Sequence, residues 1–85
     1  MISIGQTDDF RKKLEKLPKS IVRLYTKQKY IFELDWRDSR LHVKKLVDLN
    51  GYSFRITRNY RVLFYFQDDK RIIFVDIGHR KDIYE

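Results

Sequence analysis

Cysteine is absent, which excludes disulfides and thiolate metal sites and suits a reducing cytoplasm. No apolar run approaches the roughly 20 residues that cross a bilayer. The opening MISIGQTDDF has no basic start and no long apolar stretch, so it does not read as a signal peptide. A cytoplasmic protein without membrane association is therefore expected. Glycine occurs three times, scattered, so no glycine-rich loop can cradle a phosphate. Histidine is as scarce: His42 and His79 lie far apart, without HExxH-like spacing, which argues against a metal centre. No nucleophile triad is apparent, and no cofactor is expected. Repeats, low-complexity runs and linkers are also missing, so 85 residues read as one domain, residues 1–85.

Positive charge is what the chain has in excess. Nineteen Lys and Arg against 12 Asp and Glu give a net charge of +7, a bias toward polyanions or an acidic protein partner. The cations are spread along the chain. Hydrophobic residues make up 42% and aromatics 15%, enough for a folded core and too much for a disordered chain. A domain this small buries only about 60–65% of its unfolded surface, so a site is expected to be an open groove.

Ile2-Ser3-Ile4 alternates as a short strand does. Thr7 is placed to cap a helix whose first turn holds Asp8 and Asp9, and Phe10, Leu14 and Leu17 then fall on one helical face. Pro18 ends that helix and suits the start of the next, along which Ile21, Leu24, Tyr25, Gln28 and Phe32 recur at helical spacing. After the polar stretch 35–40, which contains Trp36, residues 41–49 read as an extended segment, and Asn50-Gly51 as a turn. Strands follow at about 52–58, 60–67 and 71–77, rich in β-branched and aromatic residues, the last two joined by the turn Gln67-Asp68-Asp69-Lys70. The expected class is α+β, an N-terminal helical hairpin packed on a small antiparallel sheet in the order β-α-α-β-β-β. No substantial C-terminal helix is expected.

The chemistry available is a set of cations on strands. In strand 60–66 the period of two puts Arg61, Leu63 and Tyr65 on one face and Tyr60, Val62, Phe64 and Phe66 on the other. Arg55, on the preceding strand, can share the face of Arg61, and Arg80 and Tyr84 follow the last strand. Arginine grips phosphate oxygens bidentately and stays protonated, which suits it to stabilising charge as RNA is cleaved by its own 2′-hydroxyl. That reaction also needs a base for the 2′-proton and an acid for the departing 5′-oxygen. His79 is the nearby side chain whose ordinary pKa lies close to neutrality. Each assignment has a plainer rival: Arg61 as a solvated strand charge, Arg80 in a surface ion pair, His79 bonded to backbone, Tyr84 as a packed terminus, Trp36 as a plug between helix and sheet.

Asn59-Tyr60-Arg61-Val62 and Gly78-His79-Arg80-Lys81-Asp82-Ile83-Tyr84, in that order and spacing, resemble the C-terminal half of the RelE/ParE-type toxins of type II toxin–antitoxin pairs. Arg40-Leu41-His42-Val43-Lys44-Lys45-Leu46 resembles the family's link between helices and sheet. The resemblance implies an mRNA endonuclease acting in the ribosomal decoding site and neutralised by a cognate acidic antitoxin, touching DNA only through the antitoxin complex. It implies catalytic roles for Arg61, Arg80 and Tyr84, joined by His79 as candidate base, and RNA binding by Arg55, Arg58, Lys45 and Lys81. The family's strand lysines have no counterpart in Tyr52–Arg58. Two rivals stay open: a ParE-like poison of DNA gyrase, and a toxin-like module that only binds a partner.

Overall fold

Thr7 caps the first helix as its position suggests: its side-chain oxygen accepts the N–H of Phe10 at 3.1 Å. The computed structural model describes residues 2–46 and 51–83. It begins with β1 (Ser3–Gln6) and α1 (Asp8–Glu15), with Asp8 and Asp9 in the first turn and Lys12 and Lys13 in the last. This is the charge order that the helix dipole favours, each group worth about 0.3–1 kcal/mol. Pro18 separates α1 from α2 (Lys19–Leu34). Its carbonyl accepts the N–H groups of Ile21 and Val22 at 3.0 and 3.1 Å, while its own missing N–H leaves no helix donor unpaired. The charges of α2 run the other way, with no acid in the first turn and no base in the last.

A short 3₁₀ turn (Ser39–Leu41) leads to β2 (Lys44–Lys45), then β3 (Tyr52–Arg55), β4 (Tyr60–Asp68), β5 (Arg71–His79) and a single-turn α3 (Arg80–Ile83). The spatial order is β1-β5-β4-β3-β2. β4 and β5 form the expected antiparallel hairpin, its turn held by Asp68 Oδ1 accepting from the Lys70 N–H at 2.8 Å. β2, β3 and β4 are antiparallel too. β1, however, lies parallel to β5, from Ser3 opposite Arg71 to Gln6 opposite Phe74. The class is α+β as expected, but the sheet is mixed where the sequence suggests purely antiparallel pairing. Nothing local to Ile2–Ile4 records a partner so distant in sequence. The strand at 52–58 stops at Arg55 because Ile56–Asn59 form the tight turn into β4. The expected Asn50-Gly51 turn falls partly in residues 47–50, outside the described residues.

The core is aromatic. Phe10, Phe32, Phe54, Phe64 and Phe74 are fully buried, each worth up to about 3 kcal/mol of transfer free energy. Phe32 of α2 stands 5.0 Å from both Phe54 and Phe64 and 5.3 Å from Phe74, between ring centroids. Phe10 of α1 reaches Phe74 at 5.6 Å and Tyr25 of α2 at 5.8 Å. Both helices therefore pack on one side of the sheet. Trp36 plugs the helix–sheet junction, 4.9 Å from Phe66 and 5.9 Å from Tyr52. Leu24, expected on the packed stripe, is 39% exposed, and Ile31 takes its place in the core.

Candidate functional site

Strand alternation sends the residues between the core phenylalanines to the other side of the sheet, which neither α1 nor α2 covers. There Arg55 and Arg61 stand directly opposite one another on β3 and β4, where side chains start only about 5 Å apart. Like charges so placed destabilise a sheet. Neither forms an ion pair among the described residues, and the Nε of each is buried without a hydrogen-bond partner. Burying polar N–H groups unpaired costs roughly 1–3 kcal/mol apiece. An anion between the two guanidinium groups would offset both the repulsion and the missing bonds. Arg40 shows the contrast: it donates to both carboxylate oxygens of Asp38, at 2.9 and 2.8 Å, and these bonds hold the Asp38 carboxyl down at about 2.

The surrounding elements fix this pair. Thr57 Oγ1 accepts the N–H groups of Asn59 and Tyr60, both at 3.2 Å, and the Ile56 N–H bonds the Tyr60 carbonyl at 2.9 Å. That turn keeps β3 and β4 in register, with Arg58 exposed at its tip. From the core side, the buried Gln28 amide donates to the Arg55 carbonyl at 2.8 Å and the Arg40 carbonyl at 3.1 Å. Its burial follows from those two acceptors: an amide is tolerated inside when its donors are used. Leu63 and Tyr65 share the face of Arg61, as alternation requires, and Gly51 is needed beneath Tyr65. A Cβ there would come within 2.9 Å of the tyrosine ring.

The other sequence-derived site residues are not all gathered here. Gly78 is the β5 residue opposite Arg61, whereas His79 is paired with Tyr60. His79 thus lies on the helix side of the sheet, its ring 5.5 Å from that of Tyr60 and its Nδ1 accepting the Lys81 N–H at 3.1 Å. The signal was present in the sequence, because His79 is two residues from the core residue Ile77. Arg80 opens α3, with its N–H donating to the Asn59 carbonyl at 2.7 Å. Its side chain is exposed without an ion pair among the described residues. Asp76, four residues before it, binds Lys13 at 2.7 Å. Lys81 is exposed on α3. Lys45 is paired with Tyr52 and so belongs to the core-side register, whereas Lys44, paired with Ser53, shares the face of Arg55. Sequence reasoning missed Lys44, because a two-residue strand between Val43 and Leu46 carries no alternation that shows its sides. Tyr84 lies outside the described residues.

On the helix side, Lys13, Lys16, Leu17, Tyr60, His79 and Ile83 line a shallow groove of about 270 Å³. Deeper in, burial pushes the Tyr25 hydroxyl up to about 12, against a hydrogen bond from Gln6 Nε2 at 3.1 Å. Among the described residues no cluster of His, Asp and Glu could hold a metal ion, and no helix is long and apolar enough to cross a membrane.

This arrangement of a helical hairpin behind a sheet with an arginine-bearing open face has counterparts among known proteins. A profile described as the ParE toxin of the type II toxin–antitoxin system parDE matches residues 4–84. The chain belongs to the ParE toxin family. It is a toxin of the RelE/ParE superfamily, as Asn59–Val62 and Gly78–Tyr84 suggest. This ParE-family chain is similar to a chain of the RelB–RelE antitoxin–toxin complex of Methanococcus jannaschii, with 26% identity, 94% of each chain covered and a TM-score of 0.76. It is similar in fold to a chain of the archaeal RelE–RelB complex of Pyrococcus horikoshii OT3, with 24% identity, 93% of this chain and 94% of that one covered, and a TM-score of 0.75. YafQ of Escherichia coli shares the fold at 15% identity, with both chains covered entirely and a TM-score of 0.72. No curated protein sequence matches the chain significantly.

Proposed function

We propose that this toxin is an endoribonuclease that cleaves message held in the ribosome and is silenced by an acidic antitoxin of the RelB kind. The observation that carries the reading is the opposed Arg55–Arg61 pair, whose buried Nε atoms have no partner among the described residues and would suit an anion. A phosphodiester fits: its oxygens accept from both guanidinium forks. Attack by the neighbouring 2′-oxygen forms the P–O bond of a cyclic phosphate and breaks the bond to the 5′-oxygen, which leaves with a proton. Charge accumulates on the phosphate between those steps, where fixed arginines contribute most. Arg80, tied to Asn59 beside the turn, is the candidate third cation, with Arg58 and Lys81 as outlying RNA contacts. The complexes of similar structures with RelB-type antitoxins support the partner.

One observation favours a second reading. His79 faces away from Arg61 and so is not placed to serve as base there, and a gyrase-binding toxin needs none. Primer extension on message translated by purified ribosomes tests the first reading. Defined cleavage ends with the wild type and none with Arg61→Ala support it. Absence of any cut, together with inhibited gyrase supercoiling, transfers the assignment to the second.

A further inference from the structure

We propose that Gly78 is the floor on which the ribose–phosphate chain of the message lies as it passes Arg61; this rests on the ribonuclease reading above and adds a positioning residue to it. Alternation puts all three glycines of the chain on the side of the sheet that carries Arg61. Gly5 pairs with Ile73, Gly51 precedes the core-side Tyr52, and Gly78 pairs with Arg61. Glycine inside a strand weakens it, because it loses more chain entropy on folding and has no side chain to pack. Each of the three therefore needs a reason.

Two of them have one inside the chain. A Cβ at Gly5 would come within 2.9 Å of Ile73 Cδ1, and one at Gly51 within 2.9 Å of the Tyr65 ring. Gly78 has no such reason. Its φ lies outside the left-handed region, so other residues can adopt its backbone conformation. Among the described residues a Cβ there would touch only Ile83 Cγ2, at 3.5 Å, an ordinary van der Waals contact. The fold has room for alanine, and the chain has glycine. The neighbourhood supplies the reason. Gly78, Arg61 and Arg55 form one row across β5, β4 and β3. The Arg61 Cβ stands about 5 Å from the missing one, and its Nε is buried without a partner among the described residues. β1 stops opposite Phe74, so no described strand flanks Gly78 on its other side. An anion held by Arg61 thus has bare main chain beside it. A free anion needs no such floor, whereas a phosphodiester continues on both sides, and its sugar can settle over Gly78. A methyl at that position lifts the sugar, and a displacement of about 1 Å can cost about 10²-fold where the attacking oxygen must line up with the phosphorus.

The test is Gly78→Ala, followed by thermal melting and by primer extension on message translated by purified ribosomes. The variant is expected to melt no lower than wild type, because alanine suits a strand interior better than glycine, while cleavage falls about 10²-fold or more. A glycine kept for the fold alone cannot give that opposite movement. A second variant, Gly78→Ala with Ile83→Ala, removes the contact the new methyl makes with the chain. Measured against Ile83→Ala alone, it is expected to lose as much cleavage as the single variant does against wild type. If Gly78→Ala cleaves within a few-fold of wild type, the message does not pass over Gly78 and the inference alone falls. If it melts below wild type, the glycine is required by the fold and the inference falls as well. Rescue of cleavage in the double variant assigns the loss to a displaced α3 and overturns it too. If wild type cuts no message, the ribonuclease reading fails and takes this inference with it.

Discussion

Arg55 and Arg61 oppose each other, and among the described residues neither is paired with a carboxylate. Removing one relieves that repulsion and an unpaired buried N–H, so Arg61→Ala is expected to be at least as stable as wild type while cutting cleavage about 10²–10³-fold; urea melts and ribosomal cleavage on the same samples check both. His79→Ala is expected to cleave within a few-fold of wild type, since its ring packs on Tyr60 across the sheet from Arg61. A 10²-fold loss would make it acid or base after all. Tyr25 supplies a pH signature. Its hydroxyl holds its proton to about 12 in the fold but only to about 10 when unfolded. Its contribution is whole below pH 10 and is lost as pH rises toward 12, on the order of 2 kcal/mol. Denaturant melts between pH 9 and 12 should show this decline in wild type and a flatter one in Tyr25→Phe.

At the scale of elements, α2 is fastened to the sheet by apolar packing and by one amide. Gln28 holds the carbonyls of Arg55 and Arg40 together, so the end of β3 is set from the helix side. Gln28→Leu preserves bulk but strips both carbonyls of their donor, an expected cost of about 1–3 kcal/mol. The β3–β4 turn keeps its own Thr57 bonds, so the damage should appear first as faster amide exchange at the end of β3. Protection unchanged at Ile56 and the β3 amides would show that packing alone places Arg55. Among the described residues the short α3 is held by the Arg80 N–H bond to Asn59, the Lys81 N–H bond to His79 Nδ1 and the approach of Ile83 to Gly78.

At the scale of the molecule, the sheet is closed at one edge by the first strand of the chain pairing with the last. Contacts so distant in sequence bear the largest loop-closure cost and form late. β1 should therefore exchange its amides more quickly than the central β4–β5 hairpin, which is local and pairs on both sides. Equal protection in native-state exchange would show instead that β1 belongs to the same cooperative unit. The net charge of +7 makes association with polyanions salt-dependent.

Much of this was legible in the residues. Thr7-Asp8-Asp9 specified a helix start, Pro18 a break, and the alternation of Tyr60–Phe66 a strand with arginine on one side and core on the other, because caps, ring closure and period two act within a few residues. The motifs Asn59–Val62 and Gly78–Tyr84 carried the family. Alternation from Ile77 also held the placement of His79 on the core side, and its bond to the Lys81 N–H is the plainer of the two roles the sequence allows. What local pattern does not contain was decided by tertiary structure: the parallel seat of β1 beside β5, the choice of Lys44 over Lys45 as the lysine on the arginine face, and the meeting of Arg55 with Arg61. Each depends on which strand lies beside which and in what register. That is set by the joint packing of Phe10, Phe32, Phe54, Phe64 and Phe74, and no short stretch of the chain encodes it.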